Sequence, residues 1–243
     1  MNNESTKIKV SAFRWVPPVA QGLVRDLRVR WALEEVGLAY EERLIAPEDQ
    51  QSGTYLALQP FGQVPTYEED GLVLFESGAI VLHIAERSEK LMPSDSAARA
   101  RIKAWMFAAL NTVEPPILFL NVLNMLQDRD DSAKLLRPAI MAEIHKRLTS
   151  VHRRLGGKAY LEDRFTAADL LLVTVLRILR RSELLEKVPE LDAYRLRCEA
   201  RPAFQRALAD QMARFAENAP PQSQASVNNR LQSIFRDDRG TQP

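Results

Sequence analysis

The chain has 243 residues and a formal net charge of +1, with 46% hydrophobic and 27% charged residues, a composition ordinary for a globular protein. That balance supplies no electrostatic case for nucleic acid or an anionic membrane, and one cysteine, Cys198, excludes an internal disulfide framework and suits a reducing compartment. The polar start, Met1 to Lys7, has no apolar signal core, and the run Leu170 to Leu176 is too short to span a bilayer, so a cytoplasmic protein is expected.

Lys7 to Phe13 reads as a first strand. The loop Arg14 to Gly22 follows, kept irregular by Pro17-Pro18, and then a helix from about Leu23 to Val36 with Leu27 and Trp31 on its apolar side and Gly37 as its C-cap. Leu38 to Ile45 offers a second strand, Pro47 to Thr54 is turn-rich, and Tyr55 to Leu58 is a short helical piece. A strand broken at its start by Val64-Pro65, an Asp70-Gly71 hairpin turn, an apolar strand and a helix from Ser77 complete the first half. This order builds a small mixed sheet covered by helices.

Ser88 to Ser96, with Pro93, is the expected boundary, and every long segment beyond it is helical. Ala97 to Val113 runs unbroken, Glu114-Pro115-Pro116 interrupts, Ile117 to Leu126 resumes, and Gln127 to Asp131 turns. Leu135 to Leu155 is stopped by Gly156-Gly157. Thr166-Ala167-Ala168-Asp169 forms a capping box before Leu170 to Leu179, a helix apolar nearly all round that belongs at the centre of a bundle. Two further helices, about Leu191 to Ala200 and Pro202 to Phe215, close the domain. From Ala216 the composition turns polar, with Leu231, Ile234 and Phe235 able to form a brief amphipathic turn; a disordered tail is expected, with a helix docked on the cleft as the alternative.

The stretch from Phe61 to Arg87 carries the chemistry. A proline has no N–H to give, so the residue before it, Val64, can offer its own N–H and C=O outward to an extended peptide. Glu76 and Ser77 stand where a strand gives way to a helix, whose first N–H groups favour a carboxylate. Glu76 adds an acceptor for an ammonium group and Ser77 a hydroxyl for the carboxylate. Together they describe a clamp for a small peptide with an amino acid head.

The string Tyr55-Leu56-Ala57-Leu58-Gln59-Pro60-Phe61-Gly62-Gln63-Val64-Pro65, followed by Phe75-Glu76-Ser77 and Ile80, closely resembles the glutathione-binding half of cytosolic glutathione transferases. The resemblance implies an α/β plus all-α protein: a thioredoxin-like domain (βαβαββα) over residues 1–90, an all-helical bundle over 91–215, and a tail over 216–243. It implies that Val64 pairs its backbone with the cysteinyl unit of glutathione, that Pro65 is cis, and that Glu76 with Ser77 holds the γ-glutamyl end. Gln51 would reach the glycyl carboxylate and Gln63 assist; for both, a plain surface position is an equal alternative. The capping box is a folding element in that family and is excluded from the active site. A homodimer is also implied.

Such enzymes lower the thiol pKa of bound glutathione, because the thiolate is the nucleophile. In the family a Tyr, Ser or Cys in the loop before the first helix meets the sulfur; here that position falls near Leu23, and no such residue occurs between Ala12 and Tyr40. Three substitutes present themselves: the helix-start N–H groups at about Leu23 to Arg25, the charge of Arg25 or Arg14, and a neutral donor from Trp15 or Gln21. The helix start assisted by Arg25 is the preferred reading, with Trp15 a donor or a pocket wall. A second, apolar substrate would lie against Trp105, Ala108 and Thr112, with Arg101 at the start of their helix; Trp105 is as well explained by core packing. His83, His145 and His152 have no metal-ligand spacing, and Cys198 reads as structural. Conjugation of glutathione to a small electrophile is therefore expected, against the alternatives of a glutathione-dependent reductase or isomerase, or a binding or scaffold protein that keeps the clamp without turnover.

Overall fold

The computed structural model describes residues 7–126 and 131–220. Strand β1 (Ile8–Phe13) pairs in parallel with β2 (Tyr40–Ile45), in register from Ile8 opposite Tyr40 to Phe13 opposite Ile45. On its other side β1 meets β3 (Thr66–Glu69) antiparallel, and β3 turns back on β4 (Leu72–Phe75), giving the order β2-β1-β3-β4. The hairpin turn is the one its residues demand: Asp70 and Gly71 have φ of 47° and 79°, and two consecutive positive φ values match the twist of the flanking strands.

Helices α1 (Asp26–Val36) and α3 (Ser77–Ala85) pack together and bury Leu27, Trp31, Leu33, Ile80 and Ile84 in one core with Ile8, Val10 and Tyr67 of the sheet. A separate small cluster, Ile45, Tyr55 and Val64 with Phe13, Val24 and Leu58 against it, joins the strand ends to the one-turn helix α2 (Gly53–Leu56). With α2 between β2 and β3, the thioredoxin-like order is complete.

The first helix starts three residues later than the pattern predicts. Gly22 takes a left-handed φ of 73°, which no helix can carry through, so residues 18–25 wind into separate turns in which Leu23 N–H donates to the Ala20 carbonyl (3.0 Å). The end is as expected, with Gly37 at φ 81° donating to the Leu33 carbonyl.

The second half is helical throughout: α4 (Ser96–Ala108), α5 (Glu114–Leu126), α6 (Asp131–Leu155), α7 (Ala167–Leu176) extended by the 3₁₀ turn Arg177–Leu179, the short α8 (Glu183–Glu186), α9 (Pro189–Glu199) and α10 (Pro202–Glu217). Pro115-Pro116 does not interrupt the chain. Instead a π turn, Ala109–Val113, joins α4 to α5, with Glu114 N–H reaching back to the Ala109 carbonyl; two prolines leave two carbonyls one turn earlier without donors, and the wider turn absorbs the mismatch. The resulting helix, Ser96 to Leu126, is long and apolar enough by length and composition to cross a membrane, but Ile102, Met106, Ala109, Val113, Ile117 and Leu120 of it belong to the main core. Helix α6 begins at Asp131, earlier than predicted, and carries Pro138 within it.

Every residue of α7 is buried, and its capping box is formed: Thr166 N–H donates to Asp169 Oδ2 (2.9 Å), while Oδ1 receives Leu161 N–H (2.9 Å) and the Tyr194 hydroxyl (2.8 Å). Helix α10 lies along α1, where Gln211 donates to Asp26 (2.8 Å) and Arg201 grips Glu35 (2.6 Å). The first residues of the expected tail belong to α10, and the turn around Leu231, Ile234 and Phe235 lies outside the described residues.

Candidate active site

The Val64–Pro65 peptide bond is cis, and Val64 makes no backbone hydrogen bond to another described residue. Val64 as a whole is 8% exposed, held by Ile45 and Tyr55 beside Val24. One small cluster thus sets the strand entry next to the turn that opens α1. The short segment before α2, Pro47–Gln51, presses on the same strand entry: Gln50 Nε2 donates to the Gly62 carbonyl (2.6 Å), and a Cβ on Gly62, itself at φ 62°, would fall 2.7 Å from the Gln50 carbonyl oxygen. Gln51 and Gln63 are exposed, Gln51 with its amide close to Gly62 and Gln63 with its carbonyl accepting the Tyr55 hydroxyl (2.6 Å).

Glu76 caps α3 from a backbone conformation of φ 68° and ψ 111°. A non-glycine residue held there marks a constrained position, and such positions gather at ligand clamps. Its side chain is exposed, whereas Ser77 behind it is buried and accepts from Arg28 Nη1 (3.2 Å).

Arg28, which no local pattern marks in the sequence, is buried behind Ser77. Its guanidinium also donates to Thr174 Oγ1 (3.1 Å) and to Glu114 Oε1 (2.9 Å), and the same Glu114 oxygen receives Arg25 Nη2 (3.1 Å). Burial pulls the Arg28 pKa down, and Glu114 beside it pushes the other way. Two arginines share one buried carboxylate at the start of α1, and the Glu76 carboxylate also acts on Arg28. Within the sequence Arg28 sits in a run of arginines, and Glu114 in an apparent helix break; neither looks like half of a buried pair until the helix is known to continue.

The groups expected to meet a sulfur are placed as follows. Leu23 gives its N–H to Ala20, and the helix N-cap is Arg25, so the opening of α1 lies at Arg25 and Asp26. Arg25 is half-exposed and tied to Glu114. Trp15 is half-buried in the loop, Arg14 is exposed, and Gln21 spends its amide on the Val16 carbonyl (3.1 Å), closing the loop on itself. From the helical half, Arg177 donates to the Gly22 carbonyl (2.9 Å), is held by Glu199 (2.7 Å) and lies over Phe204, which fixes the same loop from the other side.

The expected second-substrate face is only partly in place. Arg101 is bound to Glu162 (3.0 Å), and Arg154, bound to the same carboxylate (2.8 Å), lies over the Trp105 ring. Trp105 packs on the main core, as its alternative reading held. Ala108 is half-buried and Thr112 exposed, whereas the side of this helix turned toward α1 carries Glu114. His83 faces Glu69 (3.8 Å) and His152 faces Glu190 (4.0 Å); the His145 carbonyl accepts from Thr149 (2.9 Å). Among the described residues no group of three or more His, Cys, Asp or Glu side chains could hold a metal. Burial pushes the Cys198 thiol pKa far up, which leaves it an inert core group.

A mixed four-stranded sheet of this order, backed by a helical bundle, defines a protein of the thioredoxin-like fold with a helical second domain. Residues 21–86 match the family model of the glutathione S-transferase N-terminal domain and residues 116–202 that of its C-terminal domain. Glutathione S-transferase 3 of Zea mays is 32% identical over 201 residues, covering 75% of this chain and 88% of that protein. A maleylacetoacetate isomerase of Rhizobium meliloti is 31% identical over 195 residues, covering 75% and 90%. Among solved structures, a glutathione transferase from Burkholderia graminis with two glutathione molecules bound per subunit is 25% identical, covers 83% of this chain and 87% of that one, and superposes with a TM-score of 0.71. The chain belongs to the glutathione S-transferase family.

Proposed function

We propose that the protein binds glutathione through Val64, Glu76 and Ser77 and transfers it, as thiolate, to a small electrophile. The observation that carries this reading is the pairing of an unused Val64 backbone with a helix mouth, Glu76-Ser77, that offers an acceptor for an ammonium group and a donor set for a carboxylate. The Burkholderia relative supports it, being solved with glutathione bound.

The thiol is activated without a hydroxyl or thiol from the protein. The start of α1 at Arg25 and Asp26 presents the positive end of the helix dipole, and the half-exposed Arg25 guanidinium, which shares Glu114 with Arg28, adds to it. A positive field lowers a thiol pKa by favouring the anion. The protein acts as a homodimer in a reducing, cytoplasmic setting. Exposed Phe61, Leu72, Val73 and Phe75 supply one apolar face for a second copy.

A second reading, thiol-assisted isomerisation, draws support from the similarity to a maleylacetoacetate isomerase; a third, a carrier without turnover, from the missing group at Leu23. Calorimetric titration with glutathione, followed by an ultraviolet pH scan for bound thiolate, separates them. Binding with a depressed thiol pKa supports transfer or isomerisation, and product analysis with an alkylating electrophile and a cis-dienoic acid divides those two. Binding with an ordinary thiol pKa leaves the carrier, and absence of binding overturns the proposal.

A further inference from the structure

The backbone that would meet the cysteinyl unit is held by two side chains outside the clamp, Ser11 on β1 and Tyr55 on α2. The Tyr55 hydroxyl lies 2.6 Å from the Gln63 carbonyl oxygen and 2.9 Å from Ser11 Oγ, and Thr66 N–H donates to Ser11 Oγ at 2.6 Å. The direction of every proton follows. A carbonyl only accepts, so the single Tyr55 proton goes to Gln63. Ser11 already accepts from Thr66, and its own proton is left for the Tyr55 oxygen. The bonds run in one sense, Thr66 N–H to Ser11, Ser11 O–H to Tyr55, Tyr55 O–H to Gln63.

This relay starts at the amide after Pro65 and ends at the carbonyl before Val64. Pro65 has no N–H, so the backbone groups left over between the two anchored ends are the N–H and C=O of Val64 and the C=O of Pro65, none of them bonded to another described residue. Ser11 and Thr66 are fully buried and Tyr55 is 4% exposed, so the Thr66–Ser11 and Ser11–Tyr55 bonds are shielded from water, while the Tyr55–Gln63 bond is part-buried. Burial raises the Tyr55 pKa, its first and largest cause, and keeps the phenol in the protonated form that the relay requires.

We infer that Ser11 and Tyr55 are positioning residues for glutathione: they fix the orientation in which Val64 presents its backbone to the peptide, without touching the ligand themselves. The inference rests on the proposed glutathione site and adds to it a dependence on two groups behind the strand.

The test compares Tyr55→Phe and Ser11→Ala, alone and together, with Tyr194→Phe, which loses a buried hydroxyl in the helical half. Two readouts are taken: glutathione affinity by calorimetry, and amide exchange of the 61–67 segment in the unliganded protein. Either clamp-side substitution should weaken glutathione binding by about tenfold and speed exchange at Thr66, and the double variant should lose less than the product of the two single losses, as members of one chain do. Tyr194→Phe, at a matched loss of thermal stability, should keep wild-type affinity. If Tyr55→Phe binds glutathione as wild type does, or if Tyr194→Phe loses as much, the inference falls while the glutathione site stands. If the wild type fails to bind glutathione, the proposed function falls, and with it the ligand role; the exchange data then report only on the brace itself.

Discussion

Arg28 donates to Ser77 across 3.2 Å, from the first turn of α1 to the first residue of α3. A guanidinium has donors only, so Ser77 accepts and keeps its own proton to give elsewhere. The same guanidinium reaches Thr174 and Glu114 of the helical half. The Ser77 hydroxyl is thus tied, through Arg28, to two residues of the helical half.

Glu114→Ala removes the carboxylate that two arginines share. Arg28 and Glu114 side chains are each 5% exposed, and stripping one partner from such a pair leaves a buried charge without compensation. A loss of about 3–5 kcal/mol in urea unfolding is expected, with Arg28→Met in the same chain recovering part of it. A Glu114→Ala protein as stable as wild type would show that the pair carries no such charge balance.

Glu76 separates binding from folding. Glu76→Ala should weaken glutathione binding by about 1.5–3 kcal/mol, the range for a hydrogen bond to a charged group. Glu76→Gly should weaken it similarly while leaving the protein as stable or more so, since φ of 68° suits glycine. Calorimetry and thermal melts on the two variants check this, and unchanged affinity in both would remove Glu76 from the site.

Acid should unfold the protein partly through Glu69. Burial opposes its charge, but the Tyr67 hydroxyl and Arg87 outweigh it and hold its pKa below the ordinary value of 4.5. A carboxylate whose folded pKa is lowered adds stability above its unfolded pKa and loses that contribution as the pH falls through the folded one. Glu69→Gln should therefore be less stable than wild type at pH 7, with the gap closing below about pH 4.5. A gap that stays constant across that range would contradict the assignment.

The proposed dimer rests on an exposed aromatic pair. Phe61 is 65% exposed, and its ring centre lies 6.1 Å from that of Phe75. Phe61→Glu should leave folding intact and shift sedimentation from a dimer toward a monomer, since a charge there would have to be desolvated in the interface. A monomeric wild type would end the proposal, as would a Phe61→Glu dimer of unchanged affinity.

Much of the fold is visible in local pattern. Strands β1 and β2, the Asp70-Gly71 turn, the Gly37 and Gly156 stops, the capping box and the apolar α7 each follow from a few neighbouring residues. The misses have local causes too. Gly22 looks like a loop end in the sequence, but its left-handed φ delays α1, and Pro115-Pro116 looks like a break because a π turn leaves no mark in periodicity. In the candidate site, Val64, Pro65, Glu76 and Ser77 stand out in the sequence because their spacing belongs to one continuous stretch, whereas the contacts of Arg28, Glu114, Thr174, Ser11 and Tyr55 do not, because their partners lie far along the chain.

By itself the sequence determined the order of elements, the family, and which backbone could face a peptide, because turn chemistry, capping and helical period act over a few residues. Only the tertiary structure decided what each polar side chain does. Whether an arginine is solvated or buried depends on which acid the fold brings within 3 Å of it, and here that acid lies 86 residues further along the chain.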